Sequence, residues 1–371
     1  MTKLSLCMIV KNEEKFLEQC LNSVRELVDE IVIVDTGSTD KTKEIAAKFT
    51  NKIFDFQWCD DFSAARNESL KHATGDWILV LDADETIAWK DLSEIRKLID
   101  DADASVGGFV LLQRNYVSSL DNTELGFDGG LKVRGVNESE RGLELSKGDG
   151  YEESKNSLGW LSTPIVRLFR NSLGTSGTLS VAFSGKVHED VSPSLKTSIV
   201  NSNIPIHHFG KLDLAHLKEK WEMYERIGKQ KAELEKDYFS YYELGRQYLE
   251  RGKIEEAKEM FLQSLKLNAQ FWVSWLNLGS IQLLQKELDS AIESLEKARQ
   301  LNPRAVAIYN NMGVTYAQKK EFQKALDSFV LSLNINPKQA DVFRNMGRCY
   351  REMGDKMREG MAFQKAKELG G

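Results

Sequence analysis

A chain of 371 residues exceeds what one hydrophobic core usually organises, so two or three domains are expected. Its 41% hydrophobic and 29% charged residues are the balance of an ordinary globular protein, and a formal net charge of −6 excludes a chain-wide basic field for nucleic acid or anionic lipid. Four scattered cysteines, Cys7, Cys20, Cys59 and Cys349, form neither a disulfide framework nor a zinc pattern, and no apolar run approaches the ~20 residues of a membrane span.

The apolar start "LSLCMIV" runs straight into "KNEE" with no cleavage site, so a cytoplasmic chain with reduced thiols is expected. From there to about residue 90, strand-like runs alternate with helical stretches. "LSLCMIV", "EIVIVD", "KIFDFQW" and "DWILVLD" are separated by helices read at 13–27, 40–49 and 61–73. Such alternation predicts an α/β domain with a mixed, mostly parallel sheet, Rossmann-like in character. Ligands of these sheets bind at the carboxyl ends of the strands, where Asn12, Asp35, Asp82 and Asp84 fall.

In "LVLDADET" strand alternation points Asp82 and Asp84 to one side, so the two charges repel unless a cation or a donor sits between them. Three readings compete: a divalent-metal site, a phosphate-accepting aspartate of the D-x-D-x-T type, and a simple helix cap. The phosphatase pattern belongs after the first strand of its domain, whereas this one follows the fourth, and no later lysine and acidic pair completes it. A cap accounts for Asp84 and leaves Asp82 unexplained.

Residues 118–160, rich in Gly, Ser, Asp and Glu, read as a long loop or lid. Strands return with "TPIVRLFR", "VAFSGKVHE" and "SIVNSNIPIHHF", closing a first domain at 1–210. Residues 211–237 then read as one charged amphipathic connecting helix. From 238 to 371 the chain repeats: Gly245, Gly279, Gly313 and Gly347 stand 34 residues apart, the period of the tetratricopeptide repeat, so about four units of an all-α solenoid are expected. Aligned on them are the aromatics Tyr241, Trp275, Tyr309 and Phe343, the small residues Ala257, Ala291 and Ala325, and the large apolar Phe261, Leu295, Phe329 and Phe363. Glu359 breaks the small-residue position, which marks the last unit as a looser, solvent-facing cap.

"MIVKNEE", "IVIVDTGSTDKT", "DFSAARN" and "LVLDADE", in that order and spacing, resemble the nucleotide-binding half of family-2 glycosyltransferases with the GT-A fold. "RLFR", "GKVHED" and "IPIHHFG" are similar to the acceptor half of the subgroup with C-terminal tetratricopeptide repeats, the sublancin S-glycosyltransferase type. The resemblance implies a metal-dependent inverting hexosyltransferase using a nucleotide sugar, UDP-linked, with manganese or magnesium as cofactor. Its alternatives are transfer to a glycan or lipid-linked acceptor and a catalytically inactive repeat scaffold.

The resemblance also assigns roles. Asp35 would accept a hydrogen bond from the nucleotide base, with Val10 and Glu13 lining base and ribose; a turn cap and a first-turn helix acid are the bland readings of Asp35 and Glu13. Asp82 and Asp84 match the D-x-D motif that holds ribose and metal, and His208 would complete the metal shell, with His207 the other choice. Arg66 would bind phosphate or pair with Asp82, its bland reading being a surface ion pair. Glu189, or else Asp190, would be the base of an inverting transfer; a helix start rich in acids is the alternative. Lys186, Arg167 and Arg170 could meet phosphate or serve as solvated strand edges. A repeat array beside a transferase suggests a protein or peptide acceptor. A homodimer is a further partner that the sequence allows.

Overall fold

The computed structural model describes residues 2–117, 143–145, 151, 153–157, 159–171, 181–186, 189–195, 197–212 and 214–369. Its first part is built from β1 (Leu4–Val10), α1 (Leu17–Val24), β2 (Glu30–Asp35), α2 (Thr42–Ala46), β3 (Ile53–Asp55), α3 (Phe62–Lys71) and β4 (Trp77–Val80). There follow β5 (Glu85–Thr86), α4 (Leu92–Asp101), β6 (Val106–Val117), β7 (Leu143–Leu145), β8 (Gly159–Arg170) and β9 (Ser198–His208). Among the described residues these strands form one mixed sheet in the order β3-β2-β1-β4-β8-β6-β9-β5, with β7 against β8. The β3-β2-β1-β4 half is parallel, as the strand–helix alternation requires, and β8 enters antiparallel to β4.

β1, β2 and β4 read as continuous apolar runs because both their faces are covered. Leu4, Leu6, Met8, Ile33, Leu79 and Leu81 join Leu17, Leu21 and Val24 of α1 in the larger core, while Cys7, Val32, Ile78 and Val80 face Leu70 of α3 and Phe169 of β8. The sheet is thus a rigid floor whose strand ends carry polar side chains.

Several elements differ from expectation. The longest strands, β6 and β8, were only half foreseen: "VGGFVLLQRNYV" is a strand with no counterpart in the sequence reading, and the strand around "TPIVRLFR" begins earlier, at Gly159. β7 lies inside the segment read as a loop, because the alternation in "LEL" is too short to stand out from its polar surroundings. "VAFSGKVHE" is not a strand: its described residues make one isolated bridge, Ser184 to Asp190. The helix expected from Glu13 begins only at Leu17, so Glu13 lies in the preceding turn, its carbonyl accepting from the amides of Phe16 and Leu17. The rest of the segment read as a lid, residues 118–142 and 146–150, lies outside the described residues.

α5 (Leu214–Glu235) leads to four helix pairs: α6 (Tyr238–Glu250) with α7 (Ile254–Leu267), α8 (Trp272–Leu284) with α9 (Leu288–Leu301), α10 (Val306–Gln318) with α11 (Phe322–Ile335), and α12 (Ala340–Glu352) with α13 (Lys356–Glu368). Every first helix begins 34 residues after the previous one, and so does every second helix. Within each pair the small residue of the first helix lies against a large one of the second: a Cβ on Gly245, Gly279, Gly313 or Gly347 would meet Phe261, Leu295, Phe329 or Phe363 at under 3 Å. At the position where the fourth pair breaks the small-residue rule, Glu359 accepts from Nε of Arg351 (2.6 Å). The chain divides into two compact units, and in its C-terminal half the division falls between Lys220 and Trp221, within α5. No helix among the described residues is long and apolar enough to cross a membrane.

Candidate functional site

The two motif aspartates do not alternate along a strand. β4 ends at Val80, and residues 81–84 leave the sheet in a turn closed by the amide of Glu85 on the carbonyl of Asp82 (3.0 Å). The turn sends the two carboxylates to different partners. Asp82 is held by two buried arginines: Oδ1 accepts from Nη2 of Arg66 on α3, and Oδ2 from Nη2 of Arg167 on β8 (2.8 Å). Arg66 is therefore no surface ion pair. It is 2% exposed, and its Nε also donates to Glu189 (3.1 Å). Burial opposes ionisation of Asp82, but Arg167 and Arg66 outweigh it and hold the carboxyl well below the usual range.

Asp84 meets the second half of the domain. β5 pairs antiparallel with β9, placing Glu85 opposite His208 and Thr86 opposite His207. Nε2 of His208 lies 3.3 Å from Oδ2 of Asp84, and both carboxylate oxygens of Asp84 are buried without accepting a hydrogen bond. The histidine's other nitrogen fixes its tautomer. The Nδ2 of Asn115 on β6 is ringed by acceptors from Gln113, Leu161 and Thr163, so its Oδ1 faces Nδ1 of His208 at 2.7 Å and receives the ring proton. In the neutral ring Nε2 then turns a lone pair toward a carboxylate. Two electron-rich atoms so close need a proton or a cation between them.

Gly210 closes the same corner. A Cβ there would stand 1.9 Å from Oδ2 of Asp84 and 3.0 Å from Nε2 of His208, so only glycine leaves the corner open. Burial pushes Asp84 up, yet His208 in its protonated form, and Lys220, hold it below the carboxylate range. Glu13 shows the opposite result: burial first, then the charge of Asp84, raise its carboxyl to about 8.

His207, one residue along β9, points elsewhere, its Nδ1 2.7 Å from the Tyr116 hydroxyl and its ring beside those of Tyr116 and Tyr151. Asp35 ends β2 and divides its carboxylate: Oδ1 accepts from the amides of Gly37 and Ser38 (both 2.9 Å), while Oδ2 is buried with no donor. The turn-cap and base-binding readings thus fall on different oxygens of one side chain. Asn12, at φ 54, pins the same loop by accepting from the amide of Thr39 (2.8 Å). The Val10 side chain belongs to the core, and what its backbone offers the loop is a carbonyl that accepts from Thr36.

α3 also fastens the segment that carries Glu189. Asn67 both donates to and accepts from the backbone of Phe183 (3.0 and 2.8 Å), and the amide of Phe62 donates to the carbonyl of Lys186. Glu189 faces Arg66, whereas exposed Asp190 caps the amide of Ser192 (2.8 Å). His188 lies outside the described residues. Arg170 sits at the other end of β4, opposite Trp77, where it donates to the carbonyls of Val106, Ala102 and Asp103; it is structural. Sequence reasoning missed Glu85, Gln113, Asn115 and Gly210. The first three lacked an anticipated β6 to bring them together. The glycine was visible in "HHFG", but nothing in the sequence marks what it approaches.

Among the described residues no group of three or more His, Cys, Asp or Glu is arranged to hold a metal. The residues present nevertheless fit one cation at Asp84 and His208: a carboxylate without donors, an imidazole oriented by a second partner, and a corner that a methyl group would fill. Asp82, each of whose oxygens already accepts from an arginine, keeps only its remaining lone pairs for a shared cation.

Separate stretches of the chain match two known families. Residues 5–137 match the family described as Glycosyl transferase family 2, and residues 242–303 and 287–340 match the Tetratricopeptide repeat family. A TPR repeat-containing protein of Synechococcus elongatus is 49% identical over 104 residues, covering 28% of this chain and 26% of its own length. The SPbeta prophage-derived glycosyltransferase SunS of Bacillus subtilis is 38% identical over 92 residues, covering 24% of this chain and 22% of its own. The matched stretches thus span about a quarter of each relative. Among solved structures, the crystal structure of MamA covers 43% of this chain and 93% of its own, at 23% identity and a TM-score of 0.40.

Proposed function

Since the chain carries a family-2 glycosyltransferase domain followed by tetratricopeptide repeats, we propose that it is a metal-dependent inverting glycosyltransferase, moving a sugar from a UDP-linked donor to a protein or peptide side chain. The observation that carries this reading is the meeting of Asp84 with His208 in a corner kept open by Gly210.

In this reading Asp35 accepts the base N–H through its donor-free Oδ2, beside Val10 and Glu13. Asp84 and His208 would hold a divalent cation, manganese or magnesium, which when bound would supply positive charge against the diphosphate leaving group. Asp82 serves as the counter-ion of the two buried arginines, Arg66 and Arg167. Glu189 takes the proton from the acceptor atom as that atom forms its bond to the sugar carbon and the bond to the diphosphate breaks on the opposite face. Its link to Arg66 supports this choice over Asp190, whose carboxylate is committed to a turn. The repeat match over residues 242–340 supports a protein or peptide as the ligand of the array, because such arrays present a concave face to an extended segment or a helix.

The test is titration of the protein with UDP in the presence and absence of Mn²⁺. The wild type should bind UDP more tightly with metal, and Asp84→Ala should lose that gain by about 100-fold or more. A wild type indifferent to metal with every nucleoside diphosphate tried would leave only a repeat scaffold.

A further inference from the structure

The acid that follows the motif, Glu85, is completely buried, and neither the family match nor the reading above gives it a part. A buried carboxylate is costly unless every oxygen is compensated, and a β-strand of two residues has no need of one. Its compensations are specific. Oε2 accepts from the amide of Asp82 (2.8 Å). Oε1 accepts from the side-chain amide of Gln113 and lies 3.4 Å from Nη2 of Arg167. Its own amide closes the turn on the carbonyl of Asp82, and in the β5–β9 ladder it stands opposite His208. Glu85 thus fastens by its side chain the turn that bears both aspartates and the arginine that grips Asp82, and by its backbone the strand that carries the histidine.

We propose that Glu85 and Arg167 are positioning residues of the donor-metal site, holding the Asp82–Asp84 turn at a fixed distance from His208. This rests on the function proposed above. The physical reason is connectivity. Without the Glu85 carboxylate the amide of Asp82 loses its acceptor and Arg167 loses one of its two carboxylates, so that Asp84 is placed by backbone bonds, its carbonyl to the amide of Phe209 and the β5–β9 ladder, and by the arginines on Asp82 with one tie fewer. Arg167 works from the other side, since its Nη2 spans Asp82 and Glu85 and so ties the motif to β8. The effect continues through Asp82 and Arg66 to Glu189, so a loosened turn also loosens the proposed base.

The experiment compares wild type, Glu85→Gln, Arg167→Met and Arg167→Lys by calorimetric titration with UDP, once with Mn²⁺ and once with a chelator, alongside thermal unfolding of the metal-free proteins. Glu85→Gln and Arg167→Met should weaken Mn²⁺-dependent UDP binding about tenfold or more and change metal-free UDP binding less than about twofold, whereas Arg167→Lys should recover part of the loss. Metal-dependent binding equal to wild type in both Glu85→Gln and Arg167→Met overturns the proposal. So does a parallel fall of metal-free and metal-dependent binding that follows the unfolding temperature, for that is the mark of a merely structural role. Should Glu85→Gln fail to fold, Arg167→Met and Arg167→Lys carry the decision. A wild type with no metal-dependent binding of UDP, ADP, GDP or CDP removes the functional reading itself, a result distinct from variants that match a metal-responsive wild type.

Discussion

The repeat array and the strand-end site solve the same problem, the close packing of small against large, by opposite routes. In the array the glycine and its large partner lie sixteen residues apart in every unit, as in Gly313 with Phe329 and Gly347 with Phe363. In the site, Gly210 closes on Asp84 and His208, groups that the chain joins only after passing through β6, β8 and β9. Errors in the array should therefore be local and show as lost stability, whereas errors in the site should show as lost binding.

The sharpest test of that contrast is Gly210→Ala. Its methyl group would enter the space between carboxylate and imidazole, so Mn²⁺-dependent UDP affinity should fall about 10- to 100-fold, read by titration. Affinity equal to the parent would mean that the close approach is dispensable. Gly313→Ala places a Cβ 2.4 Å from the Phe329 ring and should cost about 1–3 kcal/mol in urea unfolding while leaving UDP binding intact. Gly360→Ala, in the middle of α13 with open space around it, should instead gain about 0.5–1 kcal/mol.

Glu13 offers a test by pH. Its folded carboxyl, near 8, lies above the ordinary 4.5, so the folded state favours the protonated form. The stability it contributes is whole below about pH 4.5 and is lost as pH rises through 8. Glu13→Gln should leave metal-free stability unchanged at pH 4 and raise it at pH 9 by up to about 5 kcal/mol, the worth of a rise from 4.5 to about 8, measured by urea unfolding at both values. An equal effect at the two pH values would refute the raised carboxyl. The smallest expected effect is at the helix-pair turns, where Lys286 and Lys320 hold φ 63 and 62 at the position occupied by Gly252 and Gly354 in the outer pairs. Lys286→Gly or Lys320→Gly should be neutral or stabilising by up to about 1 kcal/mol, and a clear loss would show that the lysine side chain matters more than its backbone strain.

How legible each region was in the sequence follows from the same contrast. The repeat helices could be placed because four copies vote on every position, and even the fourth pair, which lies beyond the matched repeats, keeps its Gly347–Phe363 contact. The parallel strands were legible as apolar runs ending in polar residues. β6 was not, since "GGFVLLQ" carries neither alternation nor a turn signal that separates it from a buried helix. With it went Gln113 and Asn115, which orient Glu85 and His208. Asp82 and Asp84 were found as a pair, yet their division between arginines and histidine was not, because a turn after β4 replaced the alternation that a strand would impose.

By itself the amino-acid sequence determined the alternation of parallel strands and helices over about the first 90 residues, the period of the array and the polar residues at those strand ends, because each is a short-range pattern repeated within reach of a few turns. Which of two aspartates faces a histidine, which arginine bridges to Glu189, and why Gly210 must lack a side chain were decided only in the folded chain. Those facts depend on atoms a few ångströms apart that come from distant parts of the chain.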